Sequence, residues 1–461
     1  MISDALFTEL IHIVGEPHVT MKQDILAAHG TDATKLAYMP DVVAFPRTAE
    51  EISKIFLLAN RENLPVIPRG AGSGKSGGAV PVKGGLVLAM DRFDRILDID
   101  QDNLVARVEP GVITSGFQDE VERLGLFYPP DPASLHISTI GGNVAENAGG
   151  LRAVKYGVTR DYILGLTVVL PTGEIINTGV KTAKGVVGYD LTRLIVGSEG
   201  TLAVITSITV RLIPKPYTTR TMIAFFRDAS SAVQTVSDII RNKVVPTAIE
   251  FMDSLCLDCV REEMGISIPA DARAVLLIEV DGDDVLAGRE ARKVEEVCRR
   301  SGTIEFQAAS GDEASDRLWD IRRQASESVF KLKPNKVSED IVVPRSRMAE
   351  FVSFLDQLGR KYRLPLPAFG HAGDGNLHVN IMFDKNVPEE AGAVDKIVRA
   401  LFARVIDMDG TISGEHGVGL SKAPYLEMEI SRPTIELMVR LKRAFDPKGI
   451  LNPGKIFRSA I

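Results

Sequence analysis

The feature that most limits what this chain can fold into is a dense run of glycines directly after a short apolar strand. Residues 64–68 have the composition of a strand, and five of the ten residues in 69–78 are glycine. Such small residues let backbone N–H groups converge on an anion without a helix. A mobile surface turn is the alternative, but it does not explain why the glycines begin where the strand ends. The pattern favours a loop that binds a pyrophosphate group.

Two familiar nucleotide motifs match this loop only in part. A P-loop needs a glycine, four further residues and then Gly-Lys-Ser, but Arg69 stands where its first glycine should be. Gly72, Gly74 and Gly77 do satisfy Gly-x-Gly-x-x-Gly. Both motifs require a helix that begins at the loop, and Pro81, which stands among further glycines, prevents one. A P-loop nucleotide hydrolase is therefore only a remote alternative.

Two more glycine clusters follow within the first 216 residues. Residues 139–150 combine glycines with Asn143 and Asn147, so the backbone can approach a flat ligand closely. A tight turn between two short helices is the alternative for this segment. Residues 197–201 open a β-rich stretch and add further N–H donors. Three such clusters in one segment predict a large, extended cofactor.

The composition is that of an ordinary globular protein of two or three domains. The chain has 461 residues, 45% of them hydrophobic and 25% charged, with a net charge of −7. No basic stripe is visible, so nucleic acid is a poor partner. No apolar run is long enough to cross a bilayer. The N-terminus also lacks the basic start of a signal peptide, which predicts a cytoplasmic protein.

The cysteines are too few to form a metal site on their own. There are only three, Cys256, Cys259 and Cys298, whereas structural zinc sites and Fe–S clusters take about four ligands. The first two lie in a pattern typical of an amphipathic helix. We expect buried free thiols, with a redox pair as the alternative.

The order of elements changes at the two prolines 214 and 216, which exclude a central strand and mark a domain boundary. Before it, the capping box Thr48–Glu51 begins a helix, and residues 166–177 predict a hairpin. Near the end of the chain, a strong helix is predicted over Arg432–Phe445. After the boundary, short strands alternate with helices, which predicts an α+β layer with helices on one face. These strands are predicted at 221–226, 248–251, 274–280 and 303–307.

Three of the seven histidines lie close together late in the sequence. His371 lies in a glycine-rich loop, and His378 and Asn380 share one face of the strand that follows, because side chains alternate along a strand. A second glycine-rich loop presents Glu415 and His416. Two imidazoles and one carboxylate suit zinc, iron(II) or manganese(II).

Each of these residues has a simpler explanation when taken alone. His378 fits a hydrogen-bonded core histidine, His371 a bond to a loop carbonyl, and Glu415 a helix cap. A chance grouping of all three in glycine-rich loops is harder to accept. The remaining histidines are interpreted as structural: His12, His18, His29 and His136.

Several stretches together resemble the vanillyl-alcohol oxidase superfamily, in its branch of D-lactate dehydrogenase, glycolate oxidase and D-2-hydroxyglutarate dehydrogenase. They are Pro68–Gly78, 129–134 with 139–150, 155–161, 196–201 and the two histidine motifs, and they span nearly the whole chain. The resemblance implies an α+β flavoprotein of two domains. It implies an FAD-binding α+β domain over 1–216, an α+β substrate (cap) domain with a metal site over 217–420, and a helical segment over 421–461 that packs back on the FAD domain.

By this resemblance, the first glycine loop holds the pyrophosphate of FAD, and residues of the later clusters line its isoalloxazine and adenine. Superfamily members that bind flavin covalently often carry a histidine in the first loop, and this loop has none. We therefore expect non-covalent FAD. The implied FAD contacts are Pro68, Arg69, Gly70, Ala71, Gly72, Ser73, Gly74, Lys75, Ser76, Pro129, Asp131, Ser134, Thr139, Gly142, Asn143, Asn147, Gly149, Gly150, Tyr156, Glu199, Gly200, Val204, Ile205 and Asn452.

The same resemblance assigns the metal and the catalytic groups. His371, His378 and Glu415 would bind one divalent metal, and His416 would be the catalytic base. Arg322 would hold the substrate carboxylate with its planar fork. The alternative for Arg322 is a salt bridge on the helix surface. In that case the neighbouring Arg323 could hold the substrate carboxylate instead.

Lys336 and Asn380 complete the predicted catalytic set. The spacing of Lys336 to Asp340 differs from that in D-2-hydroxyglutarate members, which favours a smaller substrate such as D-lactate or glycolate. The implied reaction is oxidation of a D-2-hydroxy acid to the 2-oxo acid, with hydride transfer to flavin N5. A transferase of alkylglycerone-phosphate-synthase type, which uses FAD without net redox change, is the alternative within the fold.

Reoxidation of the flavin would need a partner, because the chain lacks the cysteines of an Fe–S cluster. An electron-transfer flavoprotein, a quinone or an Fe–S subunit would fill that role. We expect a homodimer or a hetero-complex, held at the inner membrane face only through a partner.

Overall fold

The computed structural model describes residues 2–261 and 267–457. They form two compact units made of discontinuous segments. The first unit comprises the described residues of 1–149, 158–215 and 415–461, and the second those of 150–157 and 216–414. The division between 215 and 216 adjoins the predicted boundary. Two short segments differ from the predicted domains. Residues 150–157 lie in the second unit although they were predicted in the FAD-binding domain, and residues 415–420 lie in the first unit although they were predicted in the cap domain.

Eighteen strands occur among the described residues, and we number them in chain order. They are β1 Val19–Thr20, β2 Val42–Ala44, β3 Val66–Arg69, β4 Leu86–Ala89, β5 Ile96–Asp100, β6 Val105–Val108, β7 Leu126–Phe127, β8 Ile163–Val169, β9 Ile175–Gly179, β10 Val204–Arg211, β11 Ile213–Pro214, β12 Thr218–Phe226, β13 Ala248–Asp253, β14 Ala274–Gly282, β15 Glu305–Ala308, β16 Asn335–Val342, β17 Ala368–His371 and β18 Asn376–Phe383.

The same part of the chain contains fifteen α-helices. They are α1 Asp4–Val14, α2 Gln23–His29, α3 Ala49–Glu62, α4 Thr114–Arg123, α5 Ile140–Glu146, α6 Ala153–Tyr156, α7 Leu191–Ile195, α8 Ala229–Arg241, α9 Ser254–Val260, α10 Asp284–Arg300, α11 Asp312–Ser328, α12 Met348–Tyr362, α13 Pro388–Asp407, α14 Leu426–Glu429 and α15 Arg432–Phe445. Short 3₁₀ helices lie at Glu16–His18, Thr159–Tyr162, Val329–Lys331, Arg345–Arg347 and Ala423–Tyr425.

The first unit contains two larger sheets. One has the order β1-β2-β4-β3, in which β4 pairs in parallel with both β2 and β3. Every residue of β4 is buried, as expected for a parallel strand covered on both faces. The other sheet is antiparallel, in the order β5-β6-β10-β8-β9. The core beside β4 includes Leu10, Phe56 and Leu451, so the chain's C-terminal part contributes to the N-terminal core.

The second unit is built on one antiparallel sheet of seven strands, in the order β15-β12-β14-β13-β17-β18-β16. Helices α9 and α11 cover the face that carries Phe225 and Leu277. The opposite face, with Met222 and Ile278, is buried as well, and helices α8 and α10 contact the same strands. The prediction of helices on one face alone is therefore wrong.

Most local predictions are confirmed. Thr48 is the N-cap of helix α3, and its hydroxyl accepts a hydrogen bond from the N–H of Glu51. Strands β8 and β9 form the predicted hairpin, and α15 has the predicted bounds. The three cysteines are free and buried. No helix among the described residues is long and apolar enough to span a membrane.

Candidate functional site

The first glycine loop begins at the end of β3 and remains irregular, because no helix follows it before β4. Gly72 and Gly77 have φ angles of +69° and +80°, which favour glycine. A Cβ built on Gly74 would meet no atom within 4 Å, so the backbone there is open to an approaching ligand. A Cβ on Gly70 would lie 2.5 Å from the hydroxyl of Thr139, so that glycine is required by packing.

Buried polar atoms surround this loop. Arg69 Nη1, Ser76 Oγ and Asn452 Oδ1 are buried and have no hydrogen-bond partner in the described part of the chain. Such atoms are costly unless a ligand or water satisfies them. The Asn452 amide itself donates to the carbonyls of Gly78 and Glu199, which joins the C-terminal segment to two glycine clusters. The open backbone and the two donors, Arg69 Nη1 and the Ser76 hydroxyl, fit an anionic group such as the pyrophosphate of FAD, whereas Asn452 Oδ1 is an acceptor and calls for a donor.

Much of the second glycine cluster is helical, since α5 spans Ile140–Glu146. Thr139 caps α5, because its hydroxyl accepts a hydrogen bond from the N–H of Gly142. A Cβ on Gly141 would lie 2.3 Å from the Cβ of Pro110, so close packing explains that glycine. Asn143 is buried and donates to Thr114. Packing within the first unit therefore accounts for Gly141 and for the side chain of Asn143.

Most of the other predicted FAD contacts lie in the first unit: Pro68, Ala71, Ser73, Lys75, Pro129, Asp131, Ser134, Asn147, Gly149, Gly200, Val204 and Ile205. Gly150 and Tyr156 lie in the second unit. There the Tyr156 hydroxyl donates to Asp281 over 2.8 Å. A Cβ on Gly149 would lie 2.8 Å from Oε2 of Glu415, so this glycine lies against the side chain of Glu415.

The carboxylate of Glu199 contacts the protein backbone and does not face open space. Its two carboxylate oxygens accept hydrogen bonds from the N–H groups of Val418 and Gly419, over 2.8 and 2.6 Å. These residues lie two and three positions after His416, so Glu199 orders the glycine-rich loop that carries Glu415 and His416. Burial raises the pKa of Glu199 despite both hydrogen bonds. Burial and the nearby Glu199 charge also raise the pKa of Glu146 well above its usual value.

In the second unit, His371 and His378 lie on the neighbouring strands β17 and β18, and both are buried. Their ring centroids are 5.4 Å apart, with nearly perpendicular planes. The structure thus brings together the two histidines that the sequence pattern suggested. His371 is the last residue of β17, not part of a loop as we expected.

A carboxylate that the sequence analysis did not single out lies beside His371. Glu250 on β13 is in register with His371 on β17. Its Oε1 is 2.6 Å from His371 Nδ1, and its Oε2 accepts a hydrogen bond of 2.6 Å from Arg322 Nε. Burial alone would raise the pKa of Glu250, but the charges of His371 and Arg322 outweigh it and lower the pKa to about 2. The available signal was an acidic residue in the middle of a strand, with apolar residues on both sides of it.

A second unforeseen carboxylate, Asp340 on β16, is in register with His378. It is fully buried, and its Oδ1 lies 3.8 Å from Nδ1 of His378. Asn376 donates to Oδ1 over 2.6 Å, and the N–H of Gly414 donates to Oδ2 over 3.0 Å. Because Gly414 immediately precedes Glu415, Asp340 fixes the end of the chain segment that leads to it.

Arg322 and Arg323 have very different surroundings. The Arg322 side chain is 14% exposed, and its guanidinium lies 4.6 Å from the ring centroid of Phe369. Arg323 is 54% exposed and forms a salt bridge with Asp320 on its own helix. The buried network therefore includes Arg322 and leaves Arg323 on the surface.

Lys336 and Asn380 are held by neighbours in the second unit. Lys336 Nζ donates to both the carbonyl and the hydroxyl of Ser326. Asn380 is fully buried and donates to the carbonyl of Pro367. Its Oδ1 has no hydrogen-bond partner in the described ranges.

Models of two known domain families match segments of this chain, and together they include residues of both units. The model of the FAD binding domain matches residues 40–179, and that of the C-terminal domain of FAD linked oxidases matches residues 215–456. The chain is 45% identical to the glycolate oxidase subunit GlcD of Bacillus subtilis, over 99% of this chain and 97% of that protein. It is 38% identical to the D-lactate dehydrogenase of Archaeoglobus fulgidus, over 90% of this chain and 91% of that protein.

Solved structures show the same fold at low identity. p-Cresol methylhydroxylase matches with a TM-score of 0.81 and 18% identity, over 99% of this chain and 97% of that one. Alkyldihydroxyacetonephosphate synthase matches with a TM-score of 0.77 and 19% identity, over 98% and 86%. At this level of identity the likeness concerns the fold alone.

Proposed function

Because the chain belongs to the family of FAD-linked oxidases and is therefore an FAD-dependent oxidoreductase, we propose that it oxidises a small D-2-hydroxy acid, D-lactate or glycolate, to the 2-oxo acid. Relatives that match nearly the whole chain are named for glycolate and for D-lactate. The observation that carries the proposal is the buried network of Arg322, Glu250 and His371 beside His378. It combines a cation suited to a carboxylate with imidazoles suited to a metal.

In this proposal Arg322 holds the substrate carboxylate. A guanidinium presents its donors in a fixed fork, which can form two parallel hydrogen bonds with a carboxylate. Its position against Phe369 limits its movement. Lys336 and Asn380 belong to the same proposed site, where Asn380 Oδ1 offers a buried acceptor.

We propose that His371, His378 and Glu415 bind one divalent metal: zinc, iron(II) or manganese(II). The donor types support it, since buried imidazole nitrogens and a carboxylate oxygen are usual ligands of these ions. Asp340 supports it too, because its bond to Gly414 anchors the residue before Glu415. Such a metal would supply Lewis acidity that makes the substrate hydroxyl easier to deprotonate.

His416 would remove the proton of the α-hydroxyl as general base, which typically accelerates a reaction ~10²–10⁴-fold. The FAD supplies the hydride acceptor at N5. Non-covalent binding of FAD is part of the proposal, since the first glycine loop contains no histidine. Acid precipitation should therefore leave the flavin in the supernatant.

The electrons then pass to a separate acceptor: an electron-transfer flavoprotein, a quinone or an Fe–S subunit. The three cysteines are buried free thiols, which does not suit a cluster of this chain's own. Two relatives are named as subunits, which supports a hetero-complex.

Anaerobic reduction of the FAD-loaded protein tests the proposal. D-lactate or glycolate should bleach the flavin absorbance, whereas L-lactate should do so much more slowly. An unchanged spectrum with all three acids would contradict the proposed oxidation. It would favour the transferase alternative, which needs no net reduction of FAD.

A further inference from the structure

Glu250 contacts both a proposed metal ligand, His371, and the proposed carboxylate anchor, Arg322. We propose that Glu250 is a positioning residue that sets the tautomer of His371 and the orientation of Arg322 at the same time. This inference rests on the proposed function, and it adds to that function a residue that neither the motifs nor the family matches assigned.

The contact to His371 determines which ring nitrogen keeps its hydrogen. An ionised carboxylate can only accept hydrogen bonds, and Glu250 Oε1 lies 2.6 Å from His371 Nδ1. Nδ1 must therefore carry a hydrogen whether the ring is charged or neutral, so the nitrogen that gives up its proton to a metal is Nε2. Outer carboxylates commonly fix ligand histidines in this way. Glu250 thus makes Nε2 the metal-binding atom of His371.

The contact to Arg322 uses the other oxygen. Arg322 Nε donates to Oε2 over 2.6 Å, and it is the only nitrogen of this side chain with a hydrogen bond to the residues described here. The two terminal nitrogens remain available for a substrate carboxylate. With Nε fixed on one side and Phe369 beneath the guanidinium, the direction of the fork is set before substrate binds.

Both partners of Glu250 are donors, so only a carboxylate satisfies both. In Glu250→Gln, one side-chain atom accepts and the other donates. Arg322 stays protonated at any usual pH and would take the amide oxygen. The amide NH₂ would then face His371 Nδ1, and the ring proton would move to Nε2. The variant should therefore lose metal affinity while it keeps Arg322 in place.

Glu279→Gln is a matched control in the same sheet. Glu279 lies on β14, next to β13. Its Oε2 accepts both of its hydrogen bonds, from Trp319 Nε1 and from the hydroxyl of Thr221. A glutamine carbonyl oxygen can accept the same two bonds. The control makes the identical chemical change without contact to His371 or Arg322.

The experiment measures Mn²⁺ binding by electron paramagnetic resonance on FAD-loaded protein stripped with a chelator. Glu250→Gln should bind Mn²⁺ about 10–100-fold more weakly than wild type, and Glu279→Gln should bind it like wild type. Proton NMR of protein with ¹⁵N-labelled histidine supplies a second readout. The wild type should show a strongly downfield Nδ1–H signal, lost in His371→Asn and in Glu250→Gln but retained in Glu279→Gln.

Unchanged Mn²⁺ affinity in Glu250→Gln, or an equal loss in both variants, would overturn the inference. So would a wild type that binds no Mn²⁺. If the wild type binds Mn²⁺ and shows the Nδ1–H signal, but neither D-lactate nor glycolate reduces its FAD, the proposed oxidation fails and the role of Glu250 stands.

Discussion

The glycine loop of the first unit and the buried network of Arg322, Glu250 and His371 in the second unit use different parts of the chain to contact a ligand. The first unit offers backbone: a glycine loop with positive φ angles at Gly72 and Gly77 and open space at Gly74. The second unit offers side chains from separate elements, with Glu250 on β13 and His371 on β17. A backbone site is contained in one stretch of sequence and survives the loss of one side chain. A side-chain site depends on each of its members.

Buried glutamates show the same contrast. In the first unit, burial and the charge of Glu199 raise the pKa of Glu146. In the second, His371 and Arg322 overcome burial and lower the pKa of Glu250 to about 2. Burial is common to these residues, so the neighbouring charges decide the direction of the shift. The second unit is arranged to keep a charged network, and the first unit disfavours charge on its buried pair.

The largest effect should follow from removal of the proposed base. In His416→Ala, anaerobic reduction of FAD by D-lactate should slow by about two to four orders of magnitude. Stopped-flow absorbance of the flavin measures this rate. Raising the pH should recover part of it, because hydroxide can replace the missing base. Metal and FAD content should stay near stoichiometric.

The comparison variant is His378→Ala, which removes a proposed metal ligand. It should lose metal and activity together, and added metal should restore part of both. Elemental analysis of both proteins separates the two roles. A metal-free His416→Ala protein would mean that base and ligand have been exchanged.

A smaller effect is expected at the carboxylate anchor. Arg322→Lys keeps the charge but loses the fork and the Nε contact with Glu250, so KM for D-lactate should rise about 10–100-fold. Arg323→Lys makes the same change one residue away, at an exposed salt bridge, and should alter KM by less than about twofold. Equal effects at both positions would remove the distinction between buried network and surface.

The contrast between the units also explains what could be predicted from the sequence. Helix α3, the β8–β9 hairpin and the first glycine loop follow from local patterns, since their determining residues are neighbours in the chain. Glu250 and Asp340 could not be placed, because each meets its histidine only through pairing with a distant strand. The packing of Gly141 could not be foreseen for a similar reason: it is required by Pro110, 31 residues earlier in the sequence.

The smallest effect should come from a side chain in the backbone-built site. Lys75 is exposed in the glycine loop, so Lys75→Glu should replace a weak attraction to the pyrophosphate with a weak repulsion. Exposed charge pairs contribute little, and we expect FAD to bind about five- to tenfold more weakly.

Quenching of FAD fluorescence by the apoprotein measures this change, with Lys83→Glu as a control. Lys83 is also exposed and lies beyond the loop, before β4. The same charge reversal there should leave FAD affinity nearly unchanged. High salt should shrink the Lys75 effect, because exposed charges are screened. A loss of a hundredfold or more, insensitive to salt, would show that the glycine loop depends on its side chains as strongly as the buried network of the second unit does, and the contrast between these two sites would fail.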